Sequence, residues 1–228
     1  MVYKLTFLVA TPVITQTDIH LDALFSFISP ASHNKDKHIN RFTNAADIKQ
    51  LPLPIDAIKR GKDWVFCCSA ADYGGAKAIC DNATKRCDGK DALYYHKNLT
   101  PRTGADKDVM LKLYGVVCNS VSFLLSSSNK ADVARYARRV RNIGAYGKMG
   151  YGEVTGYILE EIGGDWQQCV ISGGKAIRNI PAALLDNESR SEDCCRSPYW
   201  LPDGKEPCAA VGDFAVLAND VFLSEYKR

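Results

Sequence analysis

The chain has 228 residues, enough for one large domain or two small ones around a core that needs no disulfide or metal. Hydrophobic residues make up 46% and charged residues 24%, which excludes a chain disordered throughout, and the recurring Gly and Pro exclude a coiled coil. Lys and Arg number 29 against 26 Asp and Glu, so a net charge of +3 selects no partner by itself, and nine cysteines cannot all pair within one chain.

In chain order, residues 3–9 read as a strand, with Tyr3, Leu5, Phe7 and Val9 alternating with Lys4 and Thr6. The longest apolar stretch, residues 5–14, is broken by Thr6, Thr11 and Pro12. A bilayer span needs about 20 apolar residues, and no small-residue cleavage site follows as in a signal peptide. A cytoplasmic chain with reduced thiols is expected. Residues 18–28 read as a helix: Ile19, Ala23 and Phe27 recur at four-residue spacing, with Leu21, Leu24 and Ile28 beside them. Thr17 or Asp18 is its expected cap, and Pro30 lies beyond its end. Residues 30–62 read as polar and irregular, with a turn at Leu51 to Pro54.

Residues 64–70 are a second strand, and 73–115 a loop-rich segment with scattered basic residues. Residues 116–125, rich in Val, Phe and Leu, are a third strand. Ser128 or Asn129 opens a second helix over 130–143, with the stripe Val133, Tyr136, Ala137 and Val140, and Gly144 stands where its C-terminal cap is expected. Residues 153–162 are a fourth strand. The order strand, helix, strand, strand, helix, strand predicts an α+β, ferredoxin-like (RRM-like) body over 1–162. The connection at about 74–115 is too long for a hairpin turn of about 2–5 residues, so an inserted subdomain or an extended hairpin is expected there. Residues 163–228 read as a β-rich C-terminal extension packed on that body.

Charge is segregated along the chain. Residues 128–150 hold six basic residues (Lys130, Arg135, Arg138, Arg139, Arg141 and Lys148) against the single acid Asp132. Lys85, Arg86, Lys90, Lys97, Arg102 and Lys107 add a second basic stretch, whereas residues 186–193 hold four acids and one Arg. A basic region offset by an acidic one fits a polyanion-binding surface on a near-neutral protein. Arg135, Arg138 and Arg139 lie opposite the apolar stripe, which also fits a plain solvated helix face.

Residues 142–152, reading NIGAYGKMGYG, place Gly144, Gly147, Gly150 and Gly152 within nine positions. Glycines admit close approach of backbone amides to a ligand, and such amides cradle phosphates. Lys148 and Arg141 add charge, and Tyr146 or Tyr151 offers a stacking face for a base. A tight helix-to-strand connection accounts for two of the glycines more readily than for four. The loop is not a Walker A sequence, because Met149 follows Gly147 and Lys148. It is not a dinucleotide fingerprint, because it follows a helix and precedes a strand.

With its glycine-rich loop between the second helix and fourth strand, this unit resembles the RAMP superfamily of CRISPR proteins. The run from Ile19 to Leu24 resembles the opening of the first helix in that superfamily. Arg178 to Pro181 and Pro198 to Trp200 resemble the C-terminal part of the type IV Cas-five-like (Csf three) group. The resemblance implies a non-catalytic subunit that caps the 5′ handle of a crRNA, with the insert as a thumb. It implies backbone Cas-seven-like and large Cas-eight-like subunits as partners, and target DNA near the PAM as a ligand. Arg86, Lys97 and Arg102 become candidate thumb contacts, and Arg138, Arg139, Arg141, Lys148 and the glycine loop candidate RNA contacts. No cofactor and no membrane partner are implied.

Two alternatives stand beside this reading. A metal-independent endoribonuclease of the same superfamily needs a base and an acid, for which His20, Tyr94, Tyr95, His96 and Lys97 are candidates; His33 and His38 read as solvated. A general single-stranded RNA-binding module is the other, although residues 116–125 lack the aromatic RNP stretch. Cys67, Cys68, Cys80 and Cys87 form one cluster and Cys194, Cys195 and Cys208 another, neither with the Cys-x₂₋₄-Cys spacing of structural zinc. A composite site of Cys194 or Cys195 with Cys208 stays open. Cys118 and Cys169 read as buried small hydrophobes on strand-like segments.

Overall fold

The computed structural model describes residues 1–29, 52–85, 109–189, 191–199 and 202–225. Over these residues the chain is an α+β protein of small antiparallel sheets with two α-helices. Its first part runs β1 (Val2–Val9), β2 (Val13–Ile14), α1 (Leu21–Ile28), β3 (Ala57–Arg60), β4 (Asp63–Phe66), β5 (Lys77–Lys85), β6 (Val109–Val117), β7 (Ser120–Ser126), α2 (Lys130–Ala137) and β8 (Val154–Glu161). Among the described residues no helix is long and apolar enough to cross a membrane.

β1 is the middle strand of the principal sheet, between β7 and β8 and antiparallel to both. Its alternation sends Tyr3, Leu5, Phe7 and Val9 into one core with Leu21 and Phe25 of α1 and Val133, Tyr136 and Ala137 of α2. Within that core Phe7 meets Phe123 edge-on at 6.1 Å and Phe25 meets Tyr136 at 5.3 Å. Beyond β7 the chain at 67–72 runs alongside as an irregular edge: Ser69 and Asp72 donate their amides to the carbonyls of Leu124 and Ser122.

Several boundaries differ from expectation. α1 begins at Leu21, because Ile19 and His20 are extended and pair with Ala71 and Ala70; neither Thr17 nor Asp18 caps it. Its buried stripe is Leu21, Asp22 and Phe25, and Phe27 is 82% exposed. The second expected strand splits at Phe66. Its first half forms a hairpin with β3, which lies in a stretch expected to be irregular, and its second half borders β7. The third splits at Cys118 and Asn119 into the end of β6 and β7.

α2 is capped by Asn129, whose side chain accepts the Asp132 amide at 3.1 Å. It stops at Ala137, where the amides of Arg139 and Val140 turn to the carbonyls of Tyr136 and Ala137. The chain then becomes extended: Val154 and Ile143 donate to Arg141 and Gly152, so Gly144 is not the helix cap. The insert takes the extended-hairpin form where it is described. β5 and β6 pair through nine register positions, Lys77 opposite Val117 to Lys85 opposite Val109, and β2 adds to β6.

After β8 come short strands: β9 (Ile171–Ser172) with β10 (Lys175–Ala176), and β11 (Ile180–Pro181), β12 (Ser191–Cys194) and β13 (Lys205–Ala209) in one sheet ordered β11–β13–β12. β14 (Phe222–Ser224) joins the edge of β3. A second core gathers Val2, Ile58, Val65 and Cys67 with Val170, Ile180, Leu184, Cys195 and Cys208. Cys67 thus faces the second core and Cys68 the first, as neighbours on an extended chain must.

Candidate nucleic-acid interface

The glycine-rich loop is closed at its base by the pairing of Asn142 with Glu153 and anchored on β2, where Ala145 donates to the Ile14 carbonyl at 2.8 Å and Gly152 to that of Pro12 at 2.8 Å. These approaches explain its glycines. A Cβ on Gly144 (φ +85°) would stand 2.5 Å from the Ile14 carbonyl oxygen, and one on Gly152 (φ +65°) 1.9 Å from that of Ile143. Gly150, at φ +88°, ends the 3₁₀ turn Gly147–Met149. A Cβ on Gly147 would crowd the Asn142 side chain at 2.9 Å. All four therefore answer a demand of the fold itself, where the sequence suggested a ligand for at least two. What the loop offers a ligand is its outward groups.

Those groups are Lys148 and Arg141, both exposed, and Tyr146, 41% exposed and held at φ +61°. The loop's backbone hydrogen bonds use the amides of Ala145, Met149, Gly150 and Gly152; those of Tyr146, Gly147 and Lys148 take no partner among the described residues. Arg138 and Arg139 are exposed at the end of α2. Arg138 donates from Nε to the Tyr157 hydroxyl at 3.1 Å, and Arg135 pairs with Asp132 at 3.1 Å. Arg139, Arg141 and Lys148 have no ion-pair partner among the described residues.

Tyr151 is engaged. Its hydroxyl donates to Asp81 Oδ2 at 2.6 Å, tying the loop to β5 of the long hairpin. That bond holds the Asp81 carboxyl below its ordinary value and the Tyr151 phenol above its own. The hairpin arms carry exposed Lys77 and Lys112 and the apolar Met110, Leu111, Tyr114 and Val117. Arg86, Lys97 and Arg102, named for the thumb, lie outside the described residues, as do Tyr94, Tyr95, His96, His33 and His38.

His20 lies in a different setting, on a buried polar cluster drawn from distant parts of the chain. The residue is 2% exposed, its ring stacks on Tyr199 at 4.3 Å and 11°, and Nδ1 has no partner among the described residues. Burial, with repulsion from the Arg178 guanidinium, holds the imidazole well below its usual value, so the ring is neutral. Arg178 is fully buried and donates from Nε to the Asn179 carbonyl, from Nη1 to the carbonyls of Phe66 and Cys68, and from Nη2 to the Cys195 carbonyl and the Tyr199 hydroxyl. Tyr199 donates in turn to the fully buried Asp22, at 2.9 Å from Oδ2, and Arg178 stands 3.7 Å from Oδ1. Desolvation raises the Asp22 carboxyl, and Arg178 and the Tyr199 bond oppose it.

Of the cysteines, Cys87 lies outside the described residues. Cys169 is buried but sits on the 3₁₀ turn Trp166–Cys169, and Cys118 is half-buried in the turn before β7; neither is on a strand. Among the described residues no group of three or more His, Cys, Asp or Glu is arranged to hold a metal. Comparison of the sequence with protein-family models and with curated proteins finds no match.

Proposed function

We propose that the chain is a cytoplasmic, non-catalytic RNA-binding subunit of a type IV CRISPR effector, holding the 5′ handle of the crRNA through the glycine-rich loop. The observation that carries this reading is the juxtaposition of that loop with the base of the long hairpin. Lys148, Arg141 and Tyr146 of the loop are exposed, and Tyr151 joins the loop to β5 through Asp81. A strand of RNA binds through phosphates and through bases stacked on aromatic rings, and both kinds of group are present. The spatial order β8, β1, β7 and then the 67–72 edge supports a ferredoxin-like body, and the hairpin leaving that edge supports the role of thumb. Cas-seven-like and Cas-eight-like subunits and PAM-proximal DNA belong to this proposal as partners.

The endoribonuclease reading is weaker. General acid–base catalysis requires contact with the reacting hydroxyl, and His20 lies beneath Tyr199 in the interior. The test is co-purification of the chain from its native operon, followed by sequencing of the bound RNA. A repeat-derived 5′ end is expected. Random cellular RNA would replace the proposal with a general single-stranded RNA binder, and loss of precursor processing in His20→Ala would restore the nuclease.

A further inference from the structure

We propose that the outer face of the small sheet β14–β3–β4 is a second contact for single-stranded RNA, on which Phe222 stacks a base and Lys59 meets the adjoining phosphate. Residues directly opposite on antiparallel strands share a face. The pairings of Phe222 with Lys59 and of Lys59 with Trp64 therefore set one row across the three strands: aromatic, cationic, aromatic. Neighbouring strands lie about 4.8 Å apart, so the Phe222 ring and the Lys59 side chain stand side by side. The next row on that face is Ser224, Ala57 and Phe66. The opposite face of the same strands turns Ile58, Val65 and Leu223 to the second core. Phe222 is 54% exposed and makes no ring contact among the described residues.

Charge selects the occupant. Neither row contains a carboxylate. Lys59 has no ion-pair partner among the described residues, nor has the exposed Lys62 in the turn between β3 and β4. On the opposite face the cation is already used: Arg60 pairs with Asp220 at 2.7 Å and donates to the Ala183 carbonyl at 3.1 Å. Trp64 is used too. It meets Phe66 edge-on at 5.1 Å, and Arg196, itself paired with Glu206 at 2.6 Å, lies over its ring at 5.6 Å. Trp64 thus forms a wall on one side of Lys59, and Phe222 is the open ring on the other. A nucleotide matches that pair, since bases stack on aromatic rings without regard to sequence and phosphates seek cations. An acidic peptide would satisfy the lysines and leave the ring in water. The inference rests on the reading of the chain as an RNA binder, but not on the glycine loop as the place where RNA binds.

The test cross-links the full chain under ultraviolet light to a single-stranded oligouridylate carrying thiouridine, maps the modified peptides, and measures affinity across a salt series. Cross-links are expected on the peptide bearing Phe222 as well as on the glycine loop. At low salt the former should persist in the double variant Arg141→Ala with Lys148→Ala. Phe222→Ala is expected to lose its cross-link and about tenfold in affinity with the salt slope intact, and Phe222→Trp to restore both. Lys59→Ala should keep the cross-link and lower the slope by about 0.7. Both alanine variants should unfold at the wild-type urea midpoint. Cross-links confined to the loop, with affinity unchanged in Phe222→Ala and Lys59→Ala, overturn this proposal and leave the loop reading standing. No cross-link and no measurable affinity overturn both. A dimer in sedimentation that Phe222→Ala dissociates, with RNA affinity unchanged, assigns the face to a second copy of the chain and overturns the proposal as well.

Discussion

The buried cluster around Arg178 and the outward face of the glycine loop are built from similar residues and are physically opposite. Both combine Arg with Tyr. In the cluster every donor of Arg178 named above has an acceptor and its exposure is zero. On the loop, Arg141 and Lys148 face solvent without a protein acceptor among the described residues. A satisfied buried cation specifies the fold, since removing it strands its partners. An unsatisfied exposed cation costs the fold nothing and leaves its charge for a ligand. Charge that is free to be used, more than the residue types themselves, separates the candidate site from the architecture.

The largest expected effect comes from breaking the buried side. Arg178→Ala leaves Asp22 without its counter-charge, and losses of about 3–5 kcal/mol are usual for one partner of a buried pair. Denaturant unfolding of the variant measures this. The double change Arg178→Met with Asp22→Leu tests the source of the loss. Removing both charges would rescue a simple ion pair, but here the carbonyls of Phe66, Cys68, Asn179 and Cys195 also lose their donor. The double variant is expected to recover only part of the stability.

On the exposed side, Arg141→Ala with Lys148→Ala should leave the denaturation midpoint unchanged and weaken binding of single-stranded RNA. Each lost phosphate contact lowers the slope of log affinity against log salt by about 0.7, so the double variant should lose about 1.4. An unchanged slope would remove the loop from the RNA site. Removing the equivalent charges Arg135 and Asp132 should not move the slope, because they are paired with each other.

How much of this contrast was legible in the sequence follows from the range of each interaction. β1, β8 and the start of α2 were legible because alternation, the apolar stripe and the Asn129 cap are local signals. The phase of α1 was not: the four-residue spacing put Phe27 on the stripe, and packing against Tyr136 of α2 buries Phe25 instead. β3 escaped because Lys59 and Arg60 hide a strand that is completed by β14 from the far end of the chain. The cluster of Asp22, Arg178 and Tyr199 was invisible as a cluster, since a bond such as that of Tyr199 to Asp22 spans 177 positions. The glycine loop was found, but four glycines looked like ligand chemistry when the carbonyls of Ile14 and Ile143 required two of them.

The pH dependence of stability gives a third, smaller probe. His20 has a folded pKa well below that of a free histidine. Its contribution is therefore complete above about 6.5, the ordinary histidine value. As pH falls, the unfolded chain takes up a proton that the folded chain refuses, and stability is lost at up to about 1.4 kcal/mol per pH unit. Asp22, whose pKa is raised, acts with the opposite sign in the carboxylate range, because the folded state then holds the proton more tightly. His20→Phe keeps a ring beside Tyr199 and should flatten the loss between neutral pH and the onset of carboxylate titration, read by urea midpoints across that range.

The smallest effect is expected where the two halves of the proposed RNA surface touch. Tyr151→Phe removes the one hydroxyl that joins the loop to β5 without removing the ring. Asp81 then loses the bond that lowers its pKa, and its carboxyl should titrate higher, nearer the ordinary carboxylate range, as followed by NMR. The unfolding midpoint should stay where it is, since both groups are open to solvent and water replaces the lost partner. If the hydroxyl also orients the loop toward the hairpin, RNA affinity falls with the salt slope intact, because no phosphate contact has been removed. A fall in the slope itself would mean that Tyr151 touches the nucleic acid directly, and the joint between loop and hairpin would then be part of the binding surface.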